Sequence, residues 1–146
     1  MLNIENFTNA TINVELLENI ANSLTSREID LTLCYNNKIQ QYNKEYRQQD
    51  WATDVLSFPI ESDIIVQDNN VMPLGSIVIS MDYVVEKAKE YQHRNESEMA
   101  LLFIHGLLHI LGYDHETDNG EMREKEALII QNFNLPNSLI VRTEEN

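Results

Sequence analysis

Three of the chain's four histidines fall within HGLLHILGYDH, residues 105–115, at the end of its most apolar segment. A helix beginning near Asn95, with Ser97 and Glu98 in its first turn, carries this segment, and Gly112 is placed to stop it. Residues four apart on a helix differ by about 40° in direction, so His105 and His109 project from one face, one turn apart. That separation lets two imidazoles meet a single tetrahedral ion. His115 is out of reach while the helix runs straight. Gly112 can adopt the left-handed backbone that ends a helix and turns the chain, which brings His115 back. Burying several imidazoles in a core requires a partner for each, whereas one metal ion serves all three. Three histidines with an open fourth position are the pattern of catalytic zinc; structural zinc is closed by four protein ligands. One zinc ion per chain on His105, His109 and His115 is therefore expected.

The rest of the composition narrows the setting. At 146 residues the chain suits one domain over 1–146 with a single substantial core, and residues 136–146 are expected to fray in part. No apolar run approaches the ~18 residues of a membrane span, and the N-terminus has neither a basic start nor an apolar signal core. Cys34 is the single cysteine, which excludes an internal disulfide and fits a reducing cytoplasm; it reads as a small buried thiol in an apolar strand. The net charge of −14 speaks against broad attraction to nucleic acid. Residues 31–60 are the exception, holding Lys38, Lys44 and Arg47 against Glu45, Asp50 and Asp54. A polyanion would meet this protein at a restricted face.

Periodicity predicts a short strand over 2–7, a helix over 12–24 and a strand over 29–35 with Ile29, Leu31, Leu33 and Tyr35 on one face. Asn36 or Asn37 then caps a helix to about Tyr46, with Ile39, Tyr42 and Tyr46 inward. A short strand in ATDVLSFPI stops at Pro59. The polar tract 61–70 with MPLG forms a loop or hairpin tip before strand 76–80. A helix from Met81 to about His93 turns Val84, Val85, Ala88 and Tyr91 inward. The apolar helix from Asn95 follows, and Asp118 with Glu121 starts a last helix to about Phe133. The sum is an α+β domain, a small mixed β-sheet packed by helices.

The histidine spacing equals that of the metzincin protease motif HExxHxxGxxH, but Gly106 stands where those proteases carry the glutamate that acts as general base. Glycine has no proton acceptor, so an ordinary peptidase mechanism is disfavoured. Asp114 is read as orienting an imidazole and Glu116 as solvated acidity.

HGLLHILGYDH also resembles the signature of the YbeY family of bacterial metal-dependent endoribonucleases. YNKEYRQQDWATDVLSFPIE, 42–61, resembles a second signature of that family, and LGSIVIS, 74–80, a third; together they order residues 35 to 133. Ser76 departs from the aspartate usual after LG, so no carboxylate stands there. The resemblance implies a zincin-like fold, zinc on the three histidines, and cleavage of single-stranded RNA. It also implies 16S ribosomal RNA 3′-end maturation and ribosome quality control, with ribosomal RNA and the small ribosomal subunit as partners. Arg47 matches an arginine the family places by its active site, and a guanidinium recognises phosphate bidentately. Asp54 and Ser57 are explained by turn bonding and strand packing.

Two other readings use the same residues. A metal-dependent peptidase or amidase is opposed by Gly106. A ribosome-assembly binding factor with structural zinc would keep its affinity after metal removal, provided it stays folded.

Overall fold

The computed structural model describes residues 2–60, 73–137 and 139. Within them the elements follow as β1 (Leu2–Asn6), α1 (Val14–Leu24), β2 (Ile29–Cys34), α2 (Asn36–Arg47), β3 (Val55–Pro59), β4 (Gly75–Ser80), α3 (Met81–Tyr91), α4 (Asn95–Ile110) and α5 (Glu121–Asn132). The sheet order is β1-β2-β4-β3, with β1, β2 and β4 parallel and β3 antiparallel along the edge beside β4. This is the expected α+β fold with a small mixed sheet.

Side-chain alternation gives the sheet two unlike faces. Leu2, Ile29, Leu31, Leu33, Ile77, Ile79 and Val55 join the main core with α1 and α4. On the other face α2 covers Cys34, Leu56 and Val78 with Ile39 and Tyr42. Beside it Asn3, Glu5, Asp30, Thr32 and Ser76 line an open polar hollow. Burial pushes the Cys34 thiol up to about 11, which keeps it protonated and inert.

Helix α4 is the central strut, and a helix apolar all round is one enclosed all round. It packs on β3, β4, α1, α3 and α5. Phe103, Ile104, Leu107 and Leu108 are wholly buried, each contributing roughly 1.5–3 kcal/mol. Its approach to the sheet depends on Gly106. A Cβ there would stand 3.1 Å from Ile77 Cγ2 and 3.3 Å from Val55 Cγ2.

Several local expectations are corrected. Helix α1 begins at Val14 rather than Ile12, because the Asn13 side chain accepts the Leu16 amide at 3.1 Å and caps it. Tyr35 is 40% exposed: β2 stops at Cys34, and Tyr35 is already the residue that leads into α2. Tyr46 is 58% exposed, since Ile39 and Asn43 form the buried face of α2 and Tyr46 stands a turn beyond them. Val85 is 49% exposed because Met81, Val84 and Ala88 take the inner stripe of α3. Helix α5 starts at Glu121, and Asp118 prepares it by accepting the amides of Gly120 at 2.8 Å and Met122 at 3.0 Å. Those two bonds hold its carboxyl below the usual range. Leu139 is buried against Leu101 and Ile130. The tract at 61–70 and the tail from 140 lie outside the described residues.

Candidate metal centre

Helix α4 presents His105 and His109 with ring centroids 4.6 Å apart and their Nε2 atoms 3.1 Å apart. The helix then ends in the pattern typical of a glycine stop. Gly112, at φ +102°, donates its amide to the His109 carbonyl at 3.1 Å, and Tyr113 donates to the Leu108 carbonyl at 3.0 Å. Nothing within 4 Å would touch a Cβ at Gly112, so backbone conformation and not space requires glycine there. The turn brings the His115 ring to 5.3 Å from His105 and 5.5 Å from His109. One ring nitrogen from each histidine lies within 4.8 Å of the others.

The protonation pattern fits a cation. His105 Nδ1 lies 2.9 Å from Glu126 Oε1, and because an ionised carboxylate only accepts, the ring proton is assigned to Nδ1 and the Nε2 lone pair faces His109. Burial, then the neighbouring His105 and His115, lower the His109 pKa below its ordinary value, with the Tyr113 backbone and Asp114 opposing. A neutral ring keeps its lone pair available for a metal. His115 Nδ1 is buried without a hydrogen-bond partner among the described residues. Converging lone pairs and an orphaned imidazole nitrogen are what a metal ion would satisfy.

Glu126 was invisible to motif reading. It is 2% exposed on the inner face of α5, between Met122 and Ile129. The available signal was an acid interrupting an apolar helical stripe. Asp114, the residue expected to orient an imidazole, instead accepts the Glu116 amide at 3.0 Å and shapes the turn. Glu126 takes the orienting part.

The histidines open into a cleft of about 560 Å³ that Arg47, Asp54, Ser57 and Glu116 also line. Arg47 ends α2, donates from Nη2 to the Ser57 carbonyl on β3, and rests its guanidinium 5.3 Å from the Phe58 ring centroid. Asp54 accepts the Val55 amide at 2.8 Å, a turn bond of the kind expected. The other cations of this region do not gather with Arg47. Lys38 sits 4.3 Å over the Phe7 ring, nine residues and roughly 14 Å of helix away. Lys44 pairs at 3.8 Å with Asp50, and both side chains are well exposed. The position of the missing protease glutamate is crowded: Gly106 lines the cleft, and a side chain there would press on Ile77 and Val55.

A family model described as Endoribonuclease YbeY matches residues 2–134. The chain belongs to the YbeY family. It is 54% identical to the Endoribonuclease YbeY of Sulfurovum sp. (strain NBC37-1), over 99% of this chain and 98% of that protein. It is 55% identical to that of Aliarcobacter butzleri (strain RM4018), over 97% of this chain and 99% of the relative. Among solved structures it resembles TM1509 from Thermotoga maritima, with a TM-score of 0.61 and 29% identity over 91% of this chain and 89% of that one. The YbeY-like stretches have distinct places in the fold. The second signature forms the end of α2, Arg47 and β3, the third forms β4, and HGLLHILGYDH forms the histidine centre. Ser76, where this chain departs from the family's usual aspartate, lines hollows on the sheet face away from the histidine cleft.

Proposed function

We propose that the protein is a zinc-dependent endoribonuclease that cuts single-stranded RNA. In this reading it serves 16S ribosomal RNA 3′-end maturation and ribosome quality control in the cytoplasm, with the small ribosomal subunit as partner. The observation that carries the chemistry is the set of three converging imidazoles, one buried nitrogen of which has no partner among the described residues, in a cleft shared with Arg47. His105, His109 and His115 would hold the ion, with Glu126 fixing the first ring. A metal held there would supply Lewis acidity to a phosphoryl oxygen and to an oxygen nucleophile, water or the ribose 2′-OH. Arg47, held on the Ser57 carbonyl, offers its remaining donors to the phosphate and stabilises charge as the phosphorus becomes five-coordinate. The ribosomal assignment rests on family membership. A peptidase reading is opposed by the crowded, acceptor-free position of Gly106.

Purified protein should cleave single-stranded RNA faster than paired RNA and lose that activity to a chelator. Arg47→Ala should keep its metal while single-turnover cleavage falls on the order of a hundredfold. Arg47→Lys should recover only part, because an ammonium lacks the bidentate fork. Chelator-resistant cleavage, or an Arg47→Ala rate equal to wild type, would contradict the assignment. A cyclic phosphate on the product would identify the ribose 2′-OH as nucleophile.

A further inference from the structure

On the sheet face opposite the metal centre, a hollow of about 320 Å³ is lined by Thr32, Tyr42, Tyr46, Phe58, Ser76 and Val78. Its aromatic wall is continuous. Tyr42 and Tyr46 stack with centroids 6.3 Å apart at 22°, and Tyr46 meets Phe58 edge-on at 5.6 Å and 62°. Tyr46 leaves 58% of its surface exposed while its ring packs on Tyr42 and Phe58, so part of the aromatic wall is open to a ligand. The hydroxyl-bearing residues Thr32 and Ser76 line the hollow beside it. An aromatic wall beside hydroxyl side chains suits a flat, polar-edged ring.

The hollow and the cleft lie on either side of the same strand, β3. Phe58 and Ser57 are consecutive on the edge strand β3 and so project to opposite faces, Phe58 to the hollow and Ser57 to the cleft. Arg47 bridges them: its guanidinium lies against the Phe58 ring, bonds the Ser57 carbonyl, and lines the cleft. The chain's net charge is −14, yet this passage carries a cation at the rim. From this geometry we infer that Tyr46, with Phe58 and Tyr42, is a stacking platform for a nucleobase of the RNA strand flanking the scissile phosphate. The strand passes over the β3 edge, its backbone led by Arg47, and Thr32 and Ser76 offer hydroxyls to the base edge. Every nucleobase has a π-face, so such a platform holds single strands with little sequence preference, and it excludes duplexes whose bases are already stacked. The inference rests on the ribonuclease reading and names the substrate subsite for it.

The test uses metal-loaded protein and a single-stranded RNA hexanucleotide carrying 2-aminopurine, mixed by stopped flow. Wild type and Tyr46→Phe should quench the fluorescent base before cleavage; Tyr46→Ala should not. Tyr46→Ala should raise KM about tenfold, with a smaller change in kcat, and Tyr46→Phe should restore it. On a dinucleotide, too short to reach past the edge, the defect should shrink. Phe58→Leu, which keeps apolar packing, should mimic Tyr46→Ala in part. If wild type cleaves the hexanucleotide and Tyr46→Ala matches it in quenching and KM, the platform is wrong and the nuclease reading stands. If loaded wild type neither binds nor cleaves single-stranded RNA, both fall.

Discussion

A carboxylate two per cent exposed, such as Glu126, persists in a core only when it has a strong partner, and here that partner is His105 Nδ1 at 2.9 Å. The bond favours one tautomer of the ring and leaves Nε2 facing His109. Glu126→Gln keeps the shape but weakens the acceptor and allows the amide to present a donor instead. Metal affinity should fall by about 10- to 100-fold, measured by competition against a chromogenic chelator. An unchanged affinity would show that α4 alone holds the ring. The three histidines were legible because their spacing is a geometric statement within one short segment. Glu126 belongs to another helix, 21 residues on, and local pattern gave no reason to pair it with His105.

At the level of elements, two glycines of the same motif are constrained by different physics. Gly106 is limited by space, since β3 and β4 side chains stand just over 3 Å from where its Cβ would be. Gly112 is limited by conformation, at φ +102° with open space around it. Gly112→Val should therefore impair metal binding about as severely as loss of a ligand, because a β-branched residue resists positive φ and carries His115 away. Gly112→Asn should be milder, since asparagine tolerates the left-handed region. Metal content by elemental analysis checks both; a valine variant with full occupancy would mean that His115 reaches the site without this turn. The stop at Gly112 was readable in advance. The crowding at Gly106 was not, because it arises from strands 29 to 51 residues earlier in the chain.

For the molecule as a whole, the three-histidine cluster brings the end of α4 together with the segment that leads into α5, and Glu126 adds α5 itself to the same cluster. A ligand that binds only the folded state at 100 times its Kd stabilises by about 2.7 kcal/mol, which for a chain of this size corresponds to a rise of about 5–10 °C in Tm. Chelation should lower Tm by that amount, and amide exchange should quicken chiefly over residues 111–120. A Tm indifferent to chelation would separate the centre from the fold. Charge is organised on the same scale. Lys38 and Arg47 are near neighbours in a sequence count but occupy opposite ends of α2, so the basic region 31–60 is not one patch.

What the sequence determined by itself was whatever repeats within a few residues: the strand alternation, the apolar helix, the glycine stop and the three-histidine spacing. Backbone geometry converts each of these directly into a direction in space. It misplaced Tyr35, Tyr46 and Val85, since an apolar ring or branched chain signals only a tendency to be buried. Which face of an element is covered depends on what packs there. Tertiary structure alone decided that Glu126 meets His105, that Arg47 turns into the histidine cleft across β3, and that Ser76 faces away from it. Each of those relations joins separate elements, and only the packed sheet and its central helix bring them within reach.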